Sequence, residues 1–249
     1  MTTEILIGIV LVALVGFLYF SKLQSRQSSA SNATMPSLQT VEIDQTIADS
    51  PVGFGYKCMW FAVKTSNQQR IAEMLKLKNV AKCNWRVGID KAYEGAVYIT
   101  PPINGWTLAC GLGLPGGGDS KERINEIKQI LSAMSSEFGE AQYFCTHRVV
   151  ELHCWIRALK GKVTRVYSFS GEDGGNIMIE GIPTEFEKQN HLINTFSKEA
   201  KNEHYFETNG LVIPDEEFIM KLAGKWSVDP TQIGSRQDIS PALGLLGQQ

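Results

Sequence analysis

Two short strings hold much of the chain's reactive side chains. Cys145-Thr-His147 and His153-Cys154 place two of the five cysteines and two of the four histidines within ten residues. A thiolate and an imidazole are a usual nucleophile and base of covalent hydrolysis, and Glu151, between the strings, is a carboxylate that could orient the base. The same donors suit tetrahedral zinc, which needs four converging ligands. If residues 140–147 and 151–159 form a hairpin, Cys145 and His147 share one face and His153 could lie across from them. His153 and Cys154 then point to opposite faces, so four donors cannot converge without a bulge and no metal is expected. Cys145, His147, Glu151 and His153 are the candidate catalytic set. The plainer expectation has both cysteines in a core and the histidines partly exposed.

A second constellation is electrostatic. Arg148, Arg157 and Arg165 fall near expected strand ends, with Glu172 and Asp173 after the third strand. Charges so placed usually solvate a sheet edge. Together with His147, the three arginines could instead line a polar ligand pocket.

The string Gly111-Leu-Gly113-Leu-Pro-Gly116 matches the glycine spacing of dinucleotide sites. In such a site the helix starts inside the motif, so that its free N–H groups meet the pyrophosphate. Here Gly117, Gly118 and Asp119 intervene before the helix, so the string reads as a connector and no cofactor is expected. Trp60, Trp85, Trp106, Trp155 and Trp226 are dispersed, which suits core or interface anchors better than a stacking platform for bases. A net charge of −2 with no long basic run excludes a nucleic-acid partner demanding many phosphate contacts.

The elements that must position these residues read as α+β. Residues 58–63 form a short apolar strand, and Ser66 with Gln69 opens a helix carrying Ile71, Met74 and Leu75 on one face. Trp85, Ile89 and Tyr93 put a second helix within 81–94. Residues 96–100 and 106–114 pair as strands around the Asn104-Gly105 turn. Ile124, Ile127, Leu131, Met134 and Phe138 form the stripe of a long helix over 121–138, capped by Asp119 with Glu122. Three consecutive strands, 140–147, 151–159 and 162–170, are followed by a fourth at 176–180. A short helix follows over 184–190. The last helix, 214–226, has Pro214 in its first turn and acidic residues near its positive end. Briefly connected sequential strands predict an antiparallel sheet with helices packed on one face. Residues 54–233 form the globular domain, and 234–249 an irregular tail.

Ahead of that domain, Ile5–Phe20 is sixteen residues without a charged side chain, closed by Lys22. A spanning helix needs about 20 apolar residues; Thr2, Thr3 and the Lys22 stem bring this stretch within reach. Residues 1–22 therefore read as a single-pass transmembrane anchor held by the lipid bilayer. Glu4 before it, and Ser-Lys-Leu-Gln-Ser-Arg after it, do not suit a cleaved signal peptide. Lys22 and Arg26 follow the apolar stretch and no Lys or Arg precedes it, which places the C-terminal bulk on the cytoplasmic side of the inner membrane. An odd cysteine number without a regular framework agrees, and a periplasmic placement is the alternative. Residues 23–53, rich in Ser and Gln and lacking aromatics through Ser50, read as a flexible linker.

Four segments carry a family resemblance: Cys83-Asn-Trp85 with Gly88, Ile99-Thr-Pro-Pro-Ile-Asn-Gly-Trp-Thr-Leu108, Thr146-His-Arg-Val-Val150 and Ala223-Gly-Lys-Trp-Ser-Val-Asp-Pro-Thr231. Over roughly Tyr56–Thr231 the chain resembles a bacterial family of largely uncharacterised globular proteins. The resemblance implies a loose association with toxin-immunity neighbourhoods and brings no catalytic residues with it. The expected function is a membrane-anchored, non-catalytic domain that binds a protein partner, as an immunity or accessory factor. The alternative is a hydrolase built on Cys145, His147 and His153.

Overall fold

Strands with apolar residues on alternate positions need cover on one face of their sheet, whereas strands apolar at every position need cover on both. Met59–Val63 (β1) is buried at four of its five positions, and Glu140–His147 (β5) and Leu152–Leu159 (β6) are buried along most of their length. The computed structural model describes residues 44–207 and 210–249 and shows the consequence. Among the described residues, a nine-stranded sheet of antiparallel neighbours carries helices on both faces.

The sheet order is β2-β9-β3-β4-β1-β5-β6-β7-β8. The remaining strands are Lys78–Cys83 (β2), Val97–Ile99 (β3), Thr107–Cys110 (β4), Lys162–Ser170 (β7), Gly175–Gly181 (β8) and Gly244–Gln248 (β9). On one face, Gln68–Met74 (α1) and Lys121–Phe138 (α3) cover Phe61, Tyr143, Cys145, Cys154 and Ile156. On the other, Trp85–Tyr93 (α2), Glu185–Gln189 (α4) and Glu216–Trp226 (α5) lie over Trp60, Phe144, Trp155 and Tyr167. The expected one-faced arrangement is thus corrected. Its cause is visible along β1, where Trp60 and Ala62 enter one core while Phe61 and Val63 enter the other.

The α5 side is the aromatic one. Trp60 stacks on Phe144 at 5.1 Å, and Trp155 stacks on Tyr167 at 4.2 Å and meets Phe218 of α5 at 5.5 Å. Such contacts contribute about 0.5–1.5 kcal/mol each beyond the area they bury. They fix α5, and with it the residues at its N-terminus, against β5 and β6.

The long helix and the run β5–β6–β7–β8 form where expected. Two caps differ by one residue. Asn67, not Ser66, accepts from the Arg70 N–H at 3.0 Å, and Ser120, not Asp119, accepts from the Arg123 N–H at 3.3 Å. Pro214 lies just outside the last helix, whose N-cap is Asp215.

Both ends of the expected domain move outward. Residues from 44 onward belong to the fold: Asp49 accepts from the N–H groups of Trp85 and Arg86 at 2.6 and 3.0 Å, capping α2. Asn84 answers by donating to the carbonyls of Asp44 and Ile47, both at 3.1 Å. The expected irregular tail contains β9, inserted between β2 and β3. Among the described residues no helix is long and apolar enough to cross a membrane. The anchor reading of Ile5–Phe20 and the linker reading of 23–43 lie outside the described residues.

Candidate functional site

The β5–β6 hairpin decides which reactive groups can meet. Its register pairs Cys145 with Cys154, Thr146 with His153, and His147 with Leu152. Side chains alternate across a strand, so Cys145 faces the α3 core while His153 faces the α5 side. Cys145 and His153 therefore cannot act as a nucleophile and base, which corrects the expectation that His153 lies across from Cys145 and His147. His147 stands exposed at the end of β5.

The thiols themselves are poorly suited to attack. All five are free and buried. Loss of hydration raises the Cys145 thiol well above its usual range, and raises Cys154 to about 12 and Cys58 to about 12. A thiol at such a value carries almost no thiolate near neutrality. Among the described residues, no group of three or more His, Cys, Asp and Glu side chains is placed to hold a metal ion.

The expected pocket of His147, Arg148, Arg157 and Arg165 does not assemble. Arg157 pairs across the hairpin with Gln142, five residues before His147 along β5, a separation of about 17 Å at the usual strand rise. Its Nε donates to Glu140 at 2.7 Å, and its guanidinium lies over the Trp226 ring. Arg165 is buried in an ion pair with Glu187. Both arginines have partners that account for them. Only Arg148 lines a cleft that also holds His153 and Glu151.

That cleft, of about 550 Å³, lies at the N-terminus of α5 and is lined chiefly by Tyr56, Arg148, Glu151, His153, Ile213 and Glu216. The Tyr93 hydroxyl positions Tyr56 by donating to its carbonyl at 2.9 Å and accepting from Gly55 N–H at 3.2 Å. Glu216 begins α5 directly after its cap, and its Oε1 accepts from the Lys57 N–H at 3.0 Å. Thr146 Oγ1 lies 3.5 Å from the same oxygen and 3.1 Å from His153 Nδ1. A chain Glu216–Thr146–His153 thus runs from the helix end to the floor of the cleft.

Burial governs His153. Loss of hydration pulls its pKa down to about 4, against the opposing pull of Glu216 and Asp215. The ring is neutral near neutrality, held at one nitrogen by Thr146.

Sequence reasoning found His153, Glu151 and Arg148 but missed Thr146, Glu216 and Tyr56. A signal for Thr146 was present, since a four-residue turn at 148–151 pairs it with His153. Glu216 read only as a favourable acid at a helix start, because nothing local reveals that α5 ends its approach over β5.

The chain matches no family model, no curated protein and no solved structure.

Proposed function

We propose that this chain is a single-pass membrane protein whose α+β domain binds another protein by surface contact, as an immunity or accessory factor. The cleft at the start of α5 is the binding face. The observation that carries this reading is the pairing of an apolar rim with a polar floor. Ile213 is 49% and Tyr56 51% exposed beside buried His153, and Val149, in the adjoining turn, is 70% exposed. Large apolar side chains gathered around a depression suit anchors of a protein contact. The apolar stretch Ile5–Phe20 supplies the membrane attachment, and the immunity role rests on the loose association with toxin-immunity neighbourhoods that the sequence resemblance implies.

The hydrolase alternative around Cys145, His147 and His153 lacks comparable support, because its thiol and its buried imidazole lie on opposite faces of the sheet.

A photo-crosslinking amino acid placed in the full-length chain tests the reading. In cells, positions Tyr56 and Ile213 should give one discrete protein adduct, and position Ile182, 79% exposed at the far end of β8, should not. Adducts absent at the cleft, or equal at Ile182, would overturn it. Protease accessibility in spheroplasts tests the membrane topology separately.

A further inference from the structure

Resting on the membrane-anchored reading, we propose that the domain lies with one end of its sheet against anionic lipid headgroups, through the ammonium groups of Lys64, Lys160, Lys162 and Lys225. The strand register gathers these lysines. Lys64 N–H donates to the Glu140 carbonyl at 3.1 Å and Lys160 N–H to the Gly139 carbonyl at 2.8 Å, while Glu140 pairs with Leu159 and Leu159 with Lys162. Three strand spacings of about 4.8 Å separate Lys64 from Lys162, so these three lysines fall within about 15 Å of rim. Lys225 joins them from α5, because Gln142 of β5 donates to the Trp226 carbonyl at 3.1 Å.

All four lysines are exposed. The acids nearby are held by other cations: Glu73 and Glu137 by Arg70, Glu140 by Arg157 and Glu185 by Lys188. Among the described residues none of these acids pairs with the four lysines. Charge of the opposite sign collects at the far end of the strands. Glu151, Glu172, Asp173, Asp215, Glu216 and Glu217 gather around the β5–β6 turn and the start of α5, against Lys57, Arg148 and Lys221. An anionic surface therefore attracts one end of the domain and repels the other.

The place where the chain enters the fold selects lipid as that surface. Cys83 pairs with Gly244, Leu245 with Ile99, Ile99 with Ala109 and Ala109 with Phe61, which puts Asn84 at the same end of the sheet as Lys64. Asn84 holds the carbonyls of Asp44 and Ile47, so the described chain starts at the lysine end. Asp44 and Asp49 there accept from backbone N–H groups, and Arg86 stands exposed beside them. Ile47, 65% exposed, offers the interface an apolar side chain. Residues 21–43 can reach at most about 80 Å from the apolar stretch to Asp44. The domain is thus never dilute with respect to the bilayer, and a weak attraction is enough to orient it. Each lysine near an anionic surface supplies about a fivefold preference. Lysine, a mobile point charge, suits a fluid layer of headgroups, whereas arginine suits a fixed bidentate partner. The docked domain turns its α5 cleft, about 24 Å away along β5, from the lipid.

The test uses the full-length chain in nanodiscs of phosphatidylcholine alone, or of phosphatidylcholine and phosphatidylglycerol in equal parts, with a trace of lipid spin-labelled at the headgroup. A fluorescent amino acid at Ser136, exposed beside Gly161, reports the lysine rim, and one at Val149 reports the far end. In the anionic discs the spin label should quench Ser136 more than Val149, and in neutral discs or about 1 M salt the difference should vanish. Lys160→Gln with Lys162→Gln should lower the docked-to-free ratio at least about tenfold at an unchanged thermal midpoint. Equal quenching at both positions, the same contrast in neutral discs, or a double variant that docks like the wild type would overturn the docking. A chain that stays with the discs yet fails in one of these ways leaves the anchor standing. A chain that alkaline carbonate strips from vesicles overturns the anchor, and the docking with it. Rim lysines that crosslink to an acidic protein in cells, without quenching in the discs, give the patch to a protein instead.

Discussion

Arg165 Nε donates to Glu187 Oε1 at 2.8 Å, with the two side chains only 4% and 0% exposed. The carboxylate is fully subscribed: Trp155 Nε1 donates to the same oxygen at 2.8 Å, and the Thr184 N–H and hydroxyl donate to Oε2, each at 2.8 Å. Arg165 spends another nitrogen on the carbonyls of Glu180 and Gly181. One acid thereby fastens α4 to β6 and β7.

Removing either charge of a buried pair leaves the other uncompensated, a loss of about 3–5 kcal/mol. Glu187→Ala should fall in that range and exceed Glu187→Gln, which keeps an acceptor for Trp155. Urea unfolding followed by tryptophan fluorescence measures both. A Glu187→Ala loss under about 1 kcal/mol would mean that the pair is not desolvated in solution.

Gly118 makes a different demand. Its φ is +79°, and a Cβ there would stand 2.6 Å from Cys154 Sγ and 2.7 Å from Cys154 Cβ. Gly174, at φ +70°, has nothing within 4 Å of the same added atom. Gly174→Ala should therefore cost only the backbone penalty, about 1–2 kcal/mol. Gly118→Ala adds overpacking of about 1–3 kcal/mol to a similar backbone penalty. Thermal midpoints of the two variants separate the contributions.

The glycines also mark where sequence reading succeeds and where it stops. Period and burial made α3 and the run from β5 to β8 legible, because Ile124, Ile127, Leu131 and Met134 repeat at helical spacing and the strands are bounded by turns. β2 was hidden, since Lys78, Asn79 and Lys82 give an edge strand the look of a loop or helix start. β9 was hidden for another reason. Gly244 and Gly247 weaken its pattern, yet an added Cβ would stand 2.4 Å from the Ile99 carbonyl at the first and 3.1 Å from Leu77 Cβ at the second. The candidate site was half legible, because the hairpin's reactive residues are local whereas Glu216 arrives from seventy residues away. After the glycine-rich string, α3 begins only at Lys121, and an added Cβ at Gly111 or Gly113 would meet the Ala96 or Gly95 carbonyl.

His153 should make stability depend on pH. Its pKa is about 4 folded and 6.5 unfolded, so between those values the unfolded chain binds the extra proton. This contribution is fully present above pH 6.5, is lost as pH falls through the interval, and levels off near pH 4. The total loss is on the order of 3 kcal/mol. Urea titrations of the wild type and His153→Asn isolate it: the difference between them should narrow in favour of the variant as the solution is acidified. Parallel pH profiles would show that His153 titrates normally.

The buried thiols predict chemical silence. In the native protein an aromatic disulfide reagent should release almost no thiolate equivalents near neutrality, and all five thiols should react once urea unfolds the chain. Cys145→Ala should leave any cellular phenotype of the protein intact while lowering stability by about 1 kcal/mol through lost packing. A fast-reacting native thiol traced to Cys145 would restore the hydrolase alternative.

The end of the chain should prove to be part of the core's frame. β9 pairs with β2 through Ala81↔Leu246 and Cys83↔Gly244, and with β3 through Tyr98↔Leu246 and Ile99↔Leu245. Deleting Leu243–Gln249 strips both strands of a neighbour and detaches β2, which has no other strand beside it among the described residues. It also uncovers Tyr98 and Ile99, one buried in each core. New unpaired edges beside exposed apolar surface favour association between chains. The truncated chain should unfold at lower temperature and aggregate, and limited proteolysis should cut first between α1 and α2. Replacing Leu245 and Leu246 by Ala at full length separates the two causes, since it keeps the backbone ladder and removes only the side chains. A truncated chain as stable as the full one would mean that β9 merely rests on the sheet and that β2 finds its place without it.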